Sequence, residues 1–188
     1  MAKDILFRNS KIFKMSNYHR YNALVGDFFS ADSMLIANGY FHGANQLVSD
    51  LEKKPANTLV YPIIFLYRHY LEIALKSILY KYEKLGHKIN DNIIVRHNIL
   101  KLYEEVNTIT QEKYPDRPLP EEIYIFIKEF NDFDATSQTF RYSTNKQGEL
   151  WINNHDTIGL DTLKLYMEKY EPYFYGLHCE LIEETRRK

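Results

Sequence analysis

Residues 61–76 read YPIIFLYRHYLEIALK. With their flanks they set Leu59, Ile63, Ile64, Leu66, Leu71, Ile73, Leu75, Ile78 and Leu79 around nearly the whole circumference of a helix. A helix that is apolar on almost every side must be enclosed by others, so this segment belongs at the centre of a bundle. Pro62 lacks the N–H that a helix interior requires, which places the helix start near Pro62 and its end near Leu85. Through the same rod run Arg68, Glu72 and Lys76 at i, i+4 and i+8, one narrow polar seam with His69 at its edge. Breaking a buried ion pair costs about 3–5 kcal/mol. Each of these groups must therefore meet a partner or reach water. The seam reads in two ways, as an ion-pair lock completed by neighbouring helices or as part of a functional site.

The rest of the chain supplies the enclosing helices. Residues 18–38 repeat Tyr21, Leu24, Val25, Phe28, Ala31 and Leu35 at helical spacing, and Gly39 follows as a left-handed stop. A shorter helix, YFHGANQLVSDLE, aligns Phe41, Ala44, Leu47, Val48 and Leu51, and KKPAN ends it. After GHKINDN, the run RHNILKLYEEV places Ile99, Leu102, Val106 and Ile109 on one stripe. Pro120 with Glu121 and Glu122 forms a good helix entry, since carboxylates favour the positive end of the helix dipole. The helix that follows aligns Ile123, Phe126, Ile127, Phe130, Phe133, Ser137 and Phe140, which puts Arg141 at its end. Gln147-Gly148 reads as a turn between candidate hairpin strands at 140–143 and 149–152. A last helix starts at Asp161 as N-cap, aligns Leu163, Tyr166, Met167, Tyr170, Phe174, Leu177 and Leu181, and is kinked at Pro172. The expected fold is all-α: an antiparallel helical bundle of about five helices, with a short β-hairpin near 140–152. Residues 1–16 are expected to form a short strand or an arm, and 17–188 the single bundle domain.

Composition narrows the functional classes. Lys and Arg number 24 against 25 Asp and Glu, which argues against a surface coated in positive charge for wholesale DNA binding. A local basic site stays open. The single cysteine, Cys179, rules out an internal disulfide and a thiolate metal site, and suits a reducing cytoplasm. The start, MAKDILFRNSKIFKMS, has no signal-peptide apolar core, and no apolar run reaches membrane-spanning length, because Arg68 and Glu72 interrupt the longest.

Three Arg-His neighbours stand out: YRHY (Arg68, His69), VRHN (Arg96, His97) and the reversed YHRY (His19, Arg20). If Arg68, His97 and Arg141 converge, they make a catalytic set for metal-free RNA cleavage. A histidine moves the proton of a 2′-hydroxyl, and arginines stabilise charge on the phosphorane. His69, Arg96, Glu72 and Tyr142 would then bind the ligand around them. His97 also fits as a residue capping its own helix. Other chemistries lack their marks. No Gly-rich phosphate loop follows a strand, so no nucleotide cofactor is expected. Asp132, Asp134, His155 and Asp156 lack ligand spacing, so no metal site is expected. Ser137 and Ser143 have no adjacent base. Trp151 reads as a core anchor or a stacking platform for a base.

DFFSADSMLIANG, YPIIFLYRHYLEIALKSIL, HNILKLYEEV and FRYSTNKQG occur in an order that resembles HEPN-domain proteins, over roughly residues 17–150. That superfamily is similar to the C-terminal helices of aminoglycoside nucleotidyltransferases. The resemblance implies an antiparallel bundle, commonly a homodimer, associated with toxin–antitoxin and anti-phage systems. Its catalytic members are metal-independent endoribonucleases marked by Arg, four to six residues, then His. No arginine in this chain has a histidine at that distance downstream. Three functions follow as expectations: a non-catalytic cytoplasmic module that binds a partner protein, nucleotide or RNA as a dimer; an endoribonuclease with a rearranged Arg/His site; or a purely structural, antitoxin-like partner.

Overall fold

The apolar rod is one unbroken helix, and it starts almost two turns before Pro62. The computed structural model describes residues 17–18, 20, 33–53, 55–152 and 157–187. Among them lie six α-helices: α1 (Ser33–Ser49), α2 (Ala56–Lys84), α3 (Asp91–Ile94), α4 (Ile99–Lys113), α5 (Glu121–Phe133) and α6 (Leu160–Arg187). A 3-10 turn, Asp50–Glu52, follows α1. The chain divides into two compact units, Met1–Ala31 and Asp32–Lys188, and every one of these elements belongs to the second. The fold of the described residues is all-α, as the periodicity requires. Most of the helix expected over 18–38 lies outside them.

In α2, Pro62 removes one N–H and crowds the carbonyl four residues earlier, that of Thr58. Both residues are exposed, so water can hydrate that carbonyl and the helix tolerates the gap. The C-terminal end is sharper. Gly86 takes φ 99°, its N–H reaches the Glu83 carbonyl at 2.9 Å, and the His87 N–H reaches Tyr82 at 3.1 Å. These paired bonds form a Schellman motif, which only a residue at ease with positive φ allows.

Gly39 does not stop a helix: α1 runs through it as one element to Ser49. The stripe Met34, Ala37, Phe41 and Ala44 is buried without a change of phase across it. That packing outweighs the roughly 1 kcal/mol by which glycine disfavours a helix interior. Small residues let α1 lie close to α2, with Ala37 and Ala44 fully buried.

Contacts fix the direction of each helix. Tyr40 meets His69 edge-on at 4.5 Å, while Asn45 accepts a hydrogen bond from the Tyr67 hydroxyl at 2.6 Å, so α1 runs against α2. The Leu100 N–H meets Asn131 and Tyr103 meets Tyr124, so α5 runs against α4. By contrast α4 runs alongside α2, pairing Arg68 with His97 near its start and Tyr82 with Thr110 near its end. The same holds for α6, whose His178 meets Ser77 and whose Glu184 meets Lys113 and Tyr114 at the end of α4. Of the five long helices, three thus point one way and two the other. The 85–98 link makes this arrangement possible by carrying the chain back about 25 Å along α2.

Two expectations near the end of α5 are corrected. The helix stops at Phe133 instead of continuing to Phe140. The Asp134 carboxylate accepts the N–H groups of Gln138 (2.8 Å) and Thr139 (3.2 Å), and so holds the backbone in a turn. Ser137 sits at φ 60° within it. Phe140 still reaches the core, from the turn and not from a helix, while Phe133 is 61 % exposed. The hairpin shrinks to one antiparallel bridge, Thr144 with Leu150, and no strand forms among the described residues. The reason is Asn145, whose side-chain oxygen takes the N–H groups of Gln147 and Glu149 and tightens the loop around Gly148 at φ 83°. Asp161, expected as the N-cap of α6, lies inside its first turn, its carboxylate on the Thr162 N–H at 2.8 Å. Among the described residues no helix is long and apolar enough to cross a membrane.

Pro62→Ala is expected to restore the missing bond and stabilise the protein by about 1–3 kcal/mol. Thermal unfolding followed by circular dichroism would show this as a melting temperature several degrees higher.

Candidate functional site

The polar seam of α2 is built around a guanidinium with no exposure to solvent. Arg68 donates from all three nitrogens. Nε reaches the Asp134 carbonyl at 3.2 Å, one terminal nitrogen reaches Glu72 at 3.1 Å, and the other reaches the His97 carbonyl. The two carbonyls lie at the end of α5 and just before α4, so one side chain fastens three helices. The Asp134 carbonyl belongs to the negative end of the α5 dipole, which favours a cation there. Burial pushes the Arg68 pKa down, and the charges of Glu72 and Asp134 push back. An arginine stays charged throughout.

Glu72 is 3 % exposed and carries the other half of the seam. One oxygen takes Arg68; the second takes both Lys76 Nζ and His97 Nδ1, each at 2.8 Å. Burial pushes its carboxyl up, but the hydrogen bond and charge of Lys76, the bond from His97 and the charge of Arg68 together hold it below the ordinary value. A carboxylate only accepts, so His97 donates to Glu72 from Nδ1, which leaves Nε2 as the acceptor whenever the ring is neutral. The His97 side chain is 61 % exposed. This is a carboxylate-oriented imidazole whose ring stands at the surface, an arrangement that can shuttle a proton or donate to an anion. His97 does not cap α4; Asn98 does, through the Lys101 N–H at 2.9 Å.

His69 faces a different environment. Phe65 stacks on it (centroids 5.5 Å apart, planes at 13°) and Tyr40 meets its edge. Arg141 stands over Phe65 at 5.8 Å and over Tyr142 at 5.3 Å, and donates to the Tyr142 hydroxyl at 3.2 Å. Burial lowers the His69 pKa; Glu72 raises it, and the cations Arg68, Arg141 and Lys76 lower it again. Phe65, His69, Glu72 and Lys76 follow one another at i, i+4, i+7 and i+11, so cations and rings share one face of α2.

The expected convergence of Arg68, His97 and Arg141 is therefore met in part. Arg68 and His97 meet, but through the His97 backbone, and Arg68 is enclosed. Arg141 lies in a turn, not at a helix end, and engages Phe65 and Tyr142 instead. Arg96 is exposed beside His97. The chief residue missed by sequence reasoning is Asp134, weighed there only as a metal ligand. Its signal was an aspartate at the end of an apolar run followed by Ala-Thr-Ser-Gln, a turn-forming context. Asp132 pairs with Lys128 at 2.8 Å, and His155 and Asp156 lie outside the described residues. Among the described residues no group of His, Cys, Asp or Glu is placed to hold a metal ion.

Comparison with protein-family models, with curated proteins and with solved structures finds no match for the chain.

Arg68→Ala leaves two carbonyls and a carboxylate without their cation and is expected to lower stability by about 3–5 kcal/mol, read as a fall in the urea midpoint. Glu72 has a folded pKa below its unfolded one, so its stabilisation is complete above the ordinary value of 4.5 and is lost as pH falls below it. The stability gap between wild type and Glu72→Gln should be widest at neutral pH and close on acidification, in urea titrations repeated from pH 7 to pH 3.

Proposed function

We propose that this chain is a HEPN-like helical module of a prokaryotic or phage conflict system, a cytoplasmic dimer that binds RNA or a nucleotide without cutting it. The reading rests on one observation, the burial of Arg68. Metal-free cleavage needs a cation on the scissile phosphate, the part that an Arg/His site would give to Arg68. The arginine at the centre of this seam has no solvent exposure and is fastened to Glu72 and two backbone carbonyls. What the surface offers is suited to binding: Arg141 over Phe65, His69 stacked behind it, Lys76 farther along α2, and His97 beside Glu72 from the start of α4. Cations track a phosphate backbone while rings accept bases. The all-helical bundle supports the family reading, and the missing Arg-to-His spacing supports a non-catalytic member.

A second reading, a metal-independent endoribonuclease, is favoured by the His97–Glu72 pair, whose exposed imidazole is oriented as a general base would be. Fluorescence anisotropy with a labelled single-stranded oligoribonucleotide separates the two. Arg141→Ala should weaken binding severalfold and reduce the salt slope by about one. Total RNA incubated with wild type in EDTA should stay intact. Cleavage that disappears in His97→Ala would replace the binding reading with the enzymatic one.

A further inference from the structure

Away from the α2 seam, α5, the entry to α6 and the turn after α5 enclose a cleft of about 320 Å³. That lies within the size range of small-molecule sites, roughly 300–1,000 Å³. Its walls include Phe126, Phe130, Phe133, Phe140 and Tyr166, and Glu129 lines it beside them. Phe126 lies nearly parallel to Tyr166 (21°, 6.2 Å) and nearly perpendicular to Phe130 (80°, 5.8 Å). Elsewhere the protein lays its own cations over aromatic rings, Arg141 on Phe65 and Lys169 on Tyr170. Among the described residues no lysine or arginine covers any of these five rings.

Glu129 is equally uncommitted. It is exposed, and among the described residues it makes no hydrogen bond or ion pair. Lys128 feels its charge but is held by Asp132 at 2.8 Å. Asp132 lines an adjoining larger cavity that shares Phe133 and Phe140, so the neighbouring carboxylate is already neutralised and Glu129 is not. Negative ring faces and one unpaired carboxylate attract the same kind of guest, a cation with an apolar skin. A phosphate or carboxylate would be repelled by both.

We propose that this cleft is a binding site for a small organic ammonium ion, held by cation–π contact with the phenylalanine cage and by the charge of Glu129. The site is independent of the nucleic-acid reading of the α2 seam.

Isothermal titration of the full chain with benzyltrimethylammonium tests it, with benzyl alcohol as the neutral control. Saturable binding of the cation is expected, with the alcohol at least tenfold weaker. Glu129→Gln and Phe133→Ala should each weaken the cation about tenfold; both side chains are exposed, so melting curves should show both variants folded. No saturable binding, equal affinity for the alcohol, or unchanged affinity in folded Glu129→Gln would each overturn the proposal.

Discussion

A charge with no route to water governs the centre of this bundle. Arg68 sits on the most enclosed helix, and removing a guanidinium from solvent is tolerable only when every face of it is met. The protein meets it with one carboxylate from the same helix and two backbone carbonyls from different helices. The central helix, the start of α4 and the end of α5 are thereby set in register to within a hydrogen bond. Hydrophobic burial is not directional and leaves helices free to slide; a planar fork of donors does not.

That constraint also explains the course of the chain. For α4 to present its first residues to the middle of α2, it must begin beside Arg68 and not beside the end of α2. The 85–98 link serves that end: it leaves through the glycine-closed stop at Gly86 and returns alongside the helix it has just left. The outcome is a bundle in which α2, α4 and α6 run together and α1 and α5 run against them. Asp134 has a double part in it, since its carbonyl receives the guanidinium while its carboxylate folds the turn that brings Phe140 back to the core and sets Arg141 over Phe65.

Much of the fold was legible because burial leaves a periodic trace. A segment apolar all round could only be central, and the stripes of α4, α5 and α6 could only face it. What failed were the boundaries, each for a local reason. Gly39 looked like a stop, but the stripe of α1 passes through it in phase. The spacing from Phe133 to Ser137 and Phe140 mimics a helix, while Asp134 captures the backbone N–H groups that a further turn would need. Pro62 looked like a first-turn residue, yet solvent can satisfy the carbonyl it strands. The candidate site was legible at Arg68 and Glu72, whose charges demand partners, and at the His97 imidazole. It was illegible at the partners themselves, because a carbonyl oxygen is common to all residues and carries no sequence signature.

This use of main-chain oxygen has a bearing on how such a molecule can change over generations. The guanidinium asks nothing of the side chain at position 97, only that a peptide group arrive there. The imidazole can be exchanged for another group while the staple beneath it holds, so surface chemistry and scaffold are free to vary separately.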